Sequence, residues 1–178
     1  MNKLQSQGFT ITAECAAHAA EIAEMTSAAF ARRFGTGDSE VALIAALRAA
    51  GDVVVELAAL EDGMVVGHAM FSRAAARPAV CRVAALGPVA VKIDRQRRGI
   101  GDSLIRAGLA ACADRRIEAV IVLGDPRYYG RFGFSAGLAA PLASPYAGAH
   151  FQALELRGGA LHGAAAVAYA PAFQSPGL

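Results

Sequence analysis

Residues 95–105 read RQRRGIGDSLI, and the fold turns on how that stretch is placed. It follows an apolar run (83–91) that reads as a strand, and it leads into a segment with the pattern of an amphipathic helix. Gln96, Gly99 and Gly101 make the spacing Q-x-x-G-x-G. Glycines at a helix start let the backbone curl and let a ligand approach the main chain closely. The first turn of a helix adds N–H groups without intrahelical partners, at the positive end of the helix dipole. Such a loop suits a diphosphate. Two glycines alone do not decide the matter; the flanking segments do.

Downstream, Gly101, Leu104, Ile105, Gly108, Leu109 and Cys112 fall on one helical stripe, with Asp102, Arg106 and Asp114 outside it, which predicts a helix over 99–114. Residues 119–123 (AVIVL) are wholly apolar, as expected of a strand inside a sheet. Strand, helix and strand then form a parallel β-α-β unit. Upstream, Gly87-Pro88 interrupts the first of these strands, because proline donates no hydrogen bond and glycine packs nothing. A bulge or a splayed strand is expected there. Before it, 53–60 and 64–72 flank Glu61-Asp62-Gly63 as a hairpin, and 73–78 reads as loop. A short strand at 9–12 and helices at 13–34 and 40–50 come first, the second capped by Asp38 or Ser39. After 119–123, Gly124-Asp125-Pro126 opens a short helix at 127–132. Strands are expected at 151–156 and 165–169, with a turn at Arg157-Gly158-Gly159.

Length and composition narrow the class. A chain of 178 residues is read as one domain over 1–178, with a core large enough to need neither disulfides nor structural metal. Hydrophobic residues make up 55% of it, yet every apolar run is broken well short of the ~20 residues of a membrane span. The opening MNKLQSQGFTITAE lacks the apolar core of a secretory leader, so a cytoplasmic protein without a membrane role is expected. Cys15, Cys81 and Cys112 are too scattered for a metal or disulfide set and read as small buried hydrophobes. A net charge of +2 gives no support to nucleic-acid binding. Lys92, Arg95, Arg97 and Arg98 nevertheless surround the glycine loop, where they would screen an anion. A dinucleotide fingerprint would need glycine where Leu104 stands, and no G-K-[ST] of a P-loop occurs.

The Gly-Pro strand, RQRRGIGDSLI and VIVLGDPRYYGRFGF occur in that order. This set resembles the GCN5-related N-acetyltransferase (GNAT) superfamily, with its Q/R-x-x-G-x-G/A loop and its Y-x-x-x-G-F element, here Tyr129, Gly133 and Phe134. LGDPRYYGRFGF with the later LEL and AYAPAF looks like the YhbS-type branch. The resemblance implies an α/β (α+β) fold: a mixed, mostly antiparallel sheet, flanked by helices and splayed between its fourth and fifth strands. It implies acetyl-CoA as co-substrate, with no metal. The pantetheine would lie along Val89, Ala90 and Val91, and the diphosphate near Gln96, Arg97, Arg98, Gly99, Ile100, Gly101 and Asp102.

Acetyl transfer from a thioester needs a neutral amine, a stabilised oxyanion and a proton for the departing thiolate. The resemblance puts Tyr129 at the thiolate, and Tyr128 competes if the short helix is turned by one residue; packing against the sheet is the structural alternative for Tyr129. The N–H of Val89 could polarise the carbonyl. Relatives often carry a glutamate on the fourth strand, but 83–91 holds no carboxylate, which removes a direct base there. Glu56, on a strand's solvent face, and Glu155, His68 and His150 are available and read as structural. The expected activity is transfer of acetyl from acetyl-CoA to a primary amine of an unidentified small molecule or protein, by direct attack in a ternary complex. The alternative is a non-catalytic acyl-CoA-binding sensor or interaction module. Residues 26–37 and 141–151 are expected to line the acceptor entrance, in a monomer or homodimer.

Overall fold

A computed structural model describes residues 8–174; the first seven residues of the opening stretch read above lie outside them. Seven strands form one sheet: β1 (Thr10–Thr12), β2 (Val53–Glu61), β3 (Met64–Arg77), β4 (Arg82–Val91), β5 (Ala119–Leu123), β6 (Phe151–Glu155) and β7 (Ala166–Tyr169). The first six lie in chain order across the sheet, and β7 adds to β3. Every pairing is antiparallel except β4 with β5. The expected mixed and mainly antiparallel architecture is what forms.

Helices α1 (Ala19–Phe34) and α2 (Asp38–Ala50) cover one face, where Ile22, Met25, Ile44 and Leu47 pack on Ala58, Met70 and Ala90. Helix α3 (Ile100–Asp114) covers the other, laying Ile100, Leu104, Ile105 and Cys112 on Leu57, Val66, Ala69 and Phe71. Gly67 sets how close α3 sits: a Cβ there would come within 2.7 Å of Ile100 and 2.9 Å of Leu104. The short helices α4 (Pro126–Tyr129) and α5 (Ala136–Ala139) follow β5. Asp125 caps α4 through the Arg127 N–H at 2.9 Å, with Pro126 in the first turn, where its missing donor costs nothing.

Several expectations need correcting. The segment 73–78 is strand as far as Arg77, because β4 pairs with it on one side (Arg73 opposite Ala84, Ala75 opposite Arg82) and β7 on the other, with Ala74 opposite Tyr169 and Arg77 opposite Ala166. Helix α2 starts at Asp38, two residues early, and neither Asp38 nor Ser39 caps it. Gly37 takes the cap position because any Cβ there would collide with the Ser27 backbone. The first helix opens as a 3-10 turn, Cys15–His18. Helix α5, capped by Ser135, was not anticipated. The three cysteines are free, but only Cys15 and Cys112 are buried, and burial pushes both thiols up to about 12; Cys81 is half-buried.

Glu56 is not on a solvent face. It lies under α2, with its carboxylate on Arg48 Nη2 at 2.5 Å and on the fully buried His68 Nε2 at 2.8 Å. Burial alone would raise its pKa, but the hydrogen bonds from His68 and Arg48 outweigh it and hold Glu56 below the ordinary value. Removing one partner of a buried ionic pair costs about 3–5 kcal/mol, and this partly exposed network belongs at the lower end of that range. Because Glu56 binds a proton less readily folded than unfolded, its contribution is complete above the ordinary glutamate range and lost as pH falls through its lowered folded value. Glu56→Gln should therefore lose about 3 kcal/mol in urea unfolding at neutral pH, and the gap to wild type should narrow by about pH 4. An equal gap at both pH values would contradict this account.

Candidate active site

The site begins where two strands part. Strands β4 and β5 pair only from Val83 opposite Ala119 to Leu86 opposite Val122. On its other side β4 pairs Leu86 with Phe71 and Val89 with Ala69, so Gly87 and Pro88 together stand against Met70 alone. That two-for-one bulge turns β4 away from β5. Gly87 carries φ +150°, which favours glycine. The expected irregularity and splay are both present, at the expected place.

Beyond the bulge, β4 offers one edge of backbone to the gap. The Lys92 N–H donates to Val66 O at 2.9 Å, so the alternating ladder turns the polar groups of Lys92 and Ala90 toward β3. The N–H and C=O of Val89 and Val91 therefore face the opening. Ala90 brings no polar group to that edge, and its side chain is buried under α1. Gln96 Nε2 reaches back to Val91 O at 3.1 Å and ties the glycine loop to the strand end.

A helix that crosses over between parallel strands runs opposite to them, so α3 starts at the end where β4 and β5 separate. Ser103 is the first residue to donate within the helix, to Gly99 O at 2.9 Å, which leaves the N–H groups of Ile100, Gly101 and Asp102 outside the helical ladder. Arg97 (φ +61°) and Gly99 (φ +80°) are both left-handed and coil the loop around the helix end. Ile100 itself is anchored in the core. Gly101 has a second reason to lack a side chain: its Cβ would lie 2.8 Å from the Tyr128 hydroxyl.

The basic cluster is divided in its duties. Arg95 Nε and Arg98 Nη2 (3.2 Å) both bond Glu61 at the end of β2, so two of the four cations anchor the loop on the β2–β3 hairpin. The hydrogen bond from Arg95 holds the Glu61 carboxyl below the usual range. Arg97 is exposed and makes no such pair among the described residues. Sequence reasoning missed Glu61, since nothing local announces a partner 34 residues ahead of Arg95.

Across the gap stand the two tyrosines of α4. The Tyr129 ring lies over Gly124 at the end of β5, where a Cβ would strike it, and packs edge-on against Phe134 with centroids 5.9 Å apart. Tyr128 meets Tyr129 edge to face at 5.0 Å and turns its hydroxyl to the first turn of α3, within 3.5 Å of Asp102 Oδ1. Burial, and then the Asp102 charge, raise the Tyr128 phenol. Arg131, also missed from the sequence, bonds Asp102 Oδ1 at 3.1 Å. Of the other candidates, Glu155 stays apart, while His150 borders the Tyr129 turn through Gly124. Glu155 accepts from the N–H groups of Gly159 and Leu161 at 2.8 Å each, an ordinary turn contact, and His150 Nδ1 lies 3.3 Å from Gly124 O. Among the described residues, no group of three His, Cys, Asp or Glu side chains is placed to hold a metal, and no helix is long and apolar enough to cross a membrane.

Comparison with known proteins agrees with this geometry. Residues 16–137 match the model of the acetyltransferase (GNAT) domain. The chain is 31% identical over 138 residues to the uncharacterized N-acetyltransferase YhbS of Escherichia coli K12, covering 76% of this chain and 83% of that one. The crystal structure of E. coli YhbS in complex with CoA superposes with a TM-score of 0.84 at 28% identity, covering 100% of this chain and 98% of that one. A GNAT family acetyltransferase from Brucella melitensis, in complex with acetyl-CoA, gives 0.78 at 36% identity over 94% of this chain and 99% of that one. The splayed sheet, the glycine loop at the start of α3 and the tyrosine-bearing turn thus sit in a shared fold, and the chain belongs to the GNAT acetyltransferase family, on its YhbS-like branch.

Proposed function

We propose that this chain moves the acetyl group of acetyl-CoA to a primary amine of a small molecule or protein, by direct attack in a ternary complex. The observation that carries the reading is the convergence, in one gap, of the open β4 edge and the unpaired amides at the start of α3. The N–H and C=O of Val89 and the N–H of Val91 suit the amides of a pantetheine arm, the Val91 C=O being held by Gln96. The amides of residues 97–101, continued by that of Asp102, suit the diphosphate, and the Arg97 side chain is at hand to screen it. Oriented helix-end dipoles contribute roughly 0.3–1 kcal/mol per charge, up to about 2 kcal/mol when partly buried. Ala90 packs the strand, and Gln96 holds its end in place.

In the reaction, the amine lone pair attacks the thioester carbonyl, whose oxygen the Val89 N–H can polarise. The C–S bond breaks, Tyr129 gives its phenolic proton to the departing sulfur, and the proton shed by the amine passes to water, from which Tyr129 is reprotonated. A phenol (pKa about 10) is a slightly weaker acid than a free thiol (about 8.5), so Tyr129 acts by hydrogen bonding the departing sulfur and protonating it as the C–S bond breaks. Tyr129 is favoured over Tyr128 because the Tyr128 hydroxyl is turned to Gly101 and Asp102. Strand β4 offers no carboxylate as a direct base, and Glu56 is committed to both Arg48 and the Nε2 of His68.

Two experiments test the reading. Thiol release with an amine panel should fall about 10²–10⁴-fold in Tyr129→Phe, while acetyl-CoA at 100 times its Kd still stabilises the variant by about 2.7 kcal/mol. Stabilisation without turnover by the wild type would instead leave an acyl-CoA-binding module, and a trapped acetyl-enzyme would overturn direct attack. Secondly, Gly101→Ala should weaken acetyl-CoA binding roughly tenfold, about 1.4 kcal/mol, by crowding the Tyr128 hydroxyl and so shifting the first turn of α3 that carries the amides. In a Tyr128→Phe background the same change should cost less, and an undiminished loss in calorimetry would count against the steric account.

A further inference from the structure

Asp102 places a carboxylate in the first turn of α3, one residue past Gly101 and beside the amides assigned to a diphosphate. An unscreened negative charge there opposes an anionic ligand at close range. Arg131, from the turn after α4, cancels it: Nη2 lies 3.1 Å from Asp102 Oδ1. The same guanidinium stacks 4.4 Å from the Tyr128 ring centroid and 5.6 Å from that of Phe132, and its Nε donates to Tyr128 O at 3.2 Å. Tyr128, so held, presses its edge-to-face contact on Tyr129 and its hydroxyl on Gly101. One arginine therefore joins the helix start to the turn that carries both tyrosines.

We propose that Arg131 and Asp102 are positioning residues: their ion pair neutralises the carboxylate beside the diphosphate and latches the Tyr128–Tyr129 turn to the start of α3. The inference rests on the acetyl-CoA reading above. It assigns no contact between Arg131 and the ligand, so charge cancellation and latching are separable. Lysine would keep the charge but lose the planar stacking and the fork of donors. Asparagine at 102 would remove the need for cancellation while leaving the latch weak.

The test is acetyl-CoA affinity by calorimetry at two salt concentrations, with kcat and KM from thiol release, on the full chain. Arg131→Gln should weaken binding roughly tenfold at low salt and less at high salt, because exposed charges are screened over about 10 Å at 0.1 M. Arg131→Gln with Asp102→Asn should regain the affinity but not kcat, since the latch is still absent. Arg131→Lys should hold KM near wild type and lower kcat severalfold. Equal affinity of Arg131→Gln and wild type overturns the proposal, as does a double variant as weak as Arg131→Gln, which would mean direct contact with the ligand. Should Arg131→Gln not fold, Arg131→Lys and Asp102→Asn carry the same comparison, and an unchanged kcat in both overturns the latch. A wild type that fails to bind acetyl-CoA defeats the functional reading itself, whereas bound ligand with indifferent variants defeats this inference alone.

Discussion

The pairing of β4 with β5 stops after four residues, and the rest of the site follows from that stop. Were the ladder to continue past Leu86, the polar groups of Val89 and Val91 would be spent on a neighbouring strand and α3 would begin over a closed sheet. The interruption has a local cause: Gly87 and Pro88 occupy the space of one partner residue, and proline brings no N–H with which to resume the ladder. An open β edge is ordinarily a liability, because it invites another chain to pair. Here it is short and lies in a gap between β4 and the turn carrying Tyr129, which limits what can reach it.

A gap of this kind has to be held open by its walls, and the walls are well seated. Helix α3 lies deep on the sheet because Gly67 clears room for Ile100 and Leu104, and Gly108 clears room for the buried Phe71 ring. On the opposite face Arg48, Glu56 and the buried His68 form a partly buried polar network whose carboxylate is held ionised by its two donors. That commitment matters chemically. A carboxylate already accepting from two donors beneath a packed layer is poorly placed to take an amine proton, so the lack of a carboxylate on β4 is not made good by Glu56.

Much of this was legible from residues close together in the chain. The Q-x-x-G-x-G loop, the α3 stripe, the Gly-Pro interruption and the all-apolar β5 are local patterns whose physical reading needs no partner, and each stands where expected. What escaped depends on distant segments. The second half of β3 is alanine-rich and resembles a loop until β4 and β7 pair with it. The start of α2 is set by the Ser27 backbone pressing on Gly37, which no capping rule anticipates. Glu56 alternates as a surface residue would, and only its distant partners Arg48 and His68 take it off the surface. Within the site, the glycine spacing was readable, but the use of Arg95 and Arg98 as anchors for Glu61 was not, since ion pairs leave no periodic trace.

The distribution of charge around the gap extends this point. Counting basic residues near the glycine loop overstates the field available to an anion, because Arg95 and Arg98 already answer to Glu61. Asp102 and Asp125 likewise have their own partners in Arg131 and Arg127. Pairing within the fold lowers the net field but fixes the loop, and fixed N–H dipoles need no reorganisation when an anion arrives. The site therefore leans on oriented backbone more than on loose cations. That is consistent with a net charge of only +2 for the whole chain, and with glycines, not lysines, at the positions nearest the helix start.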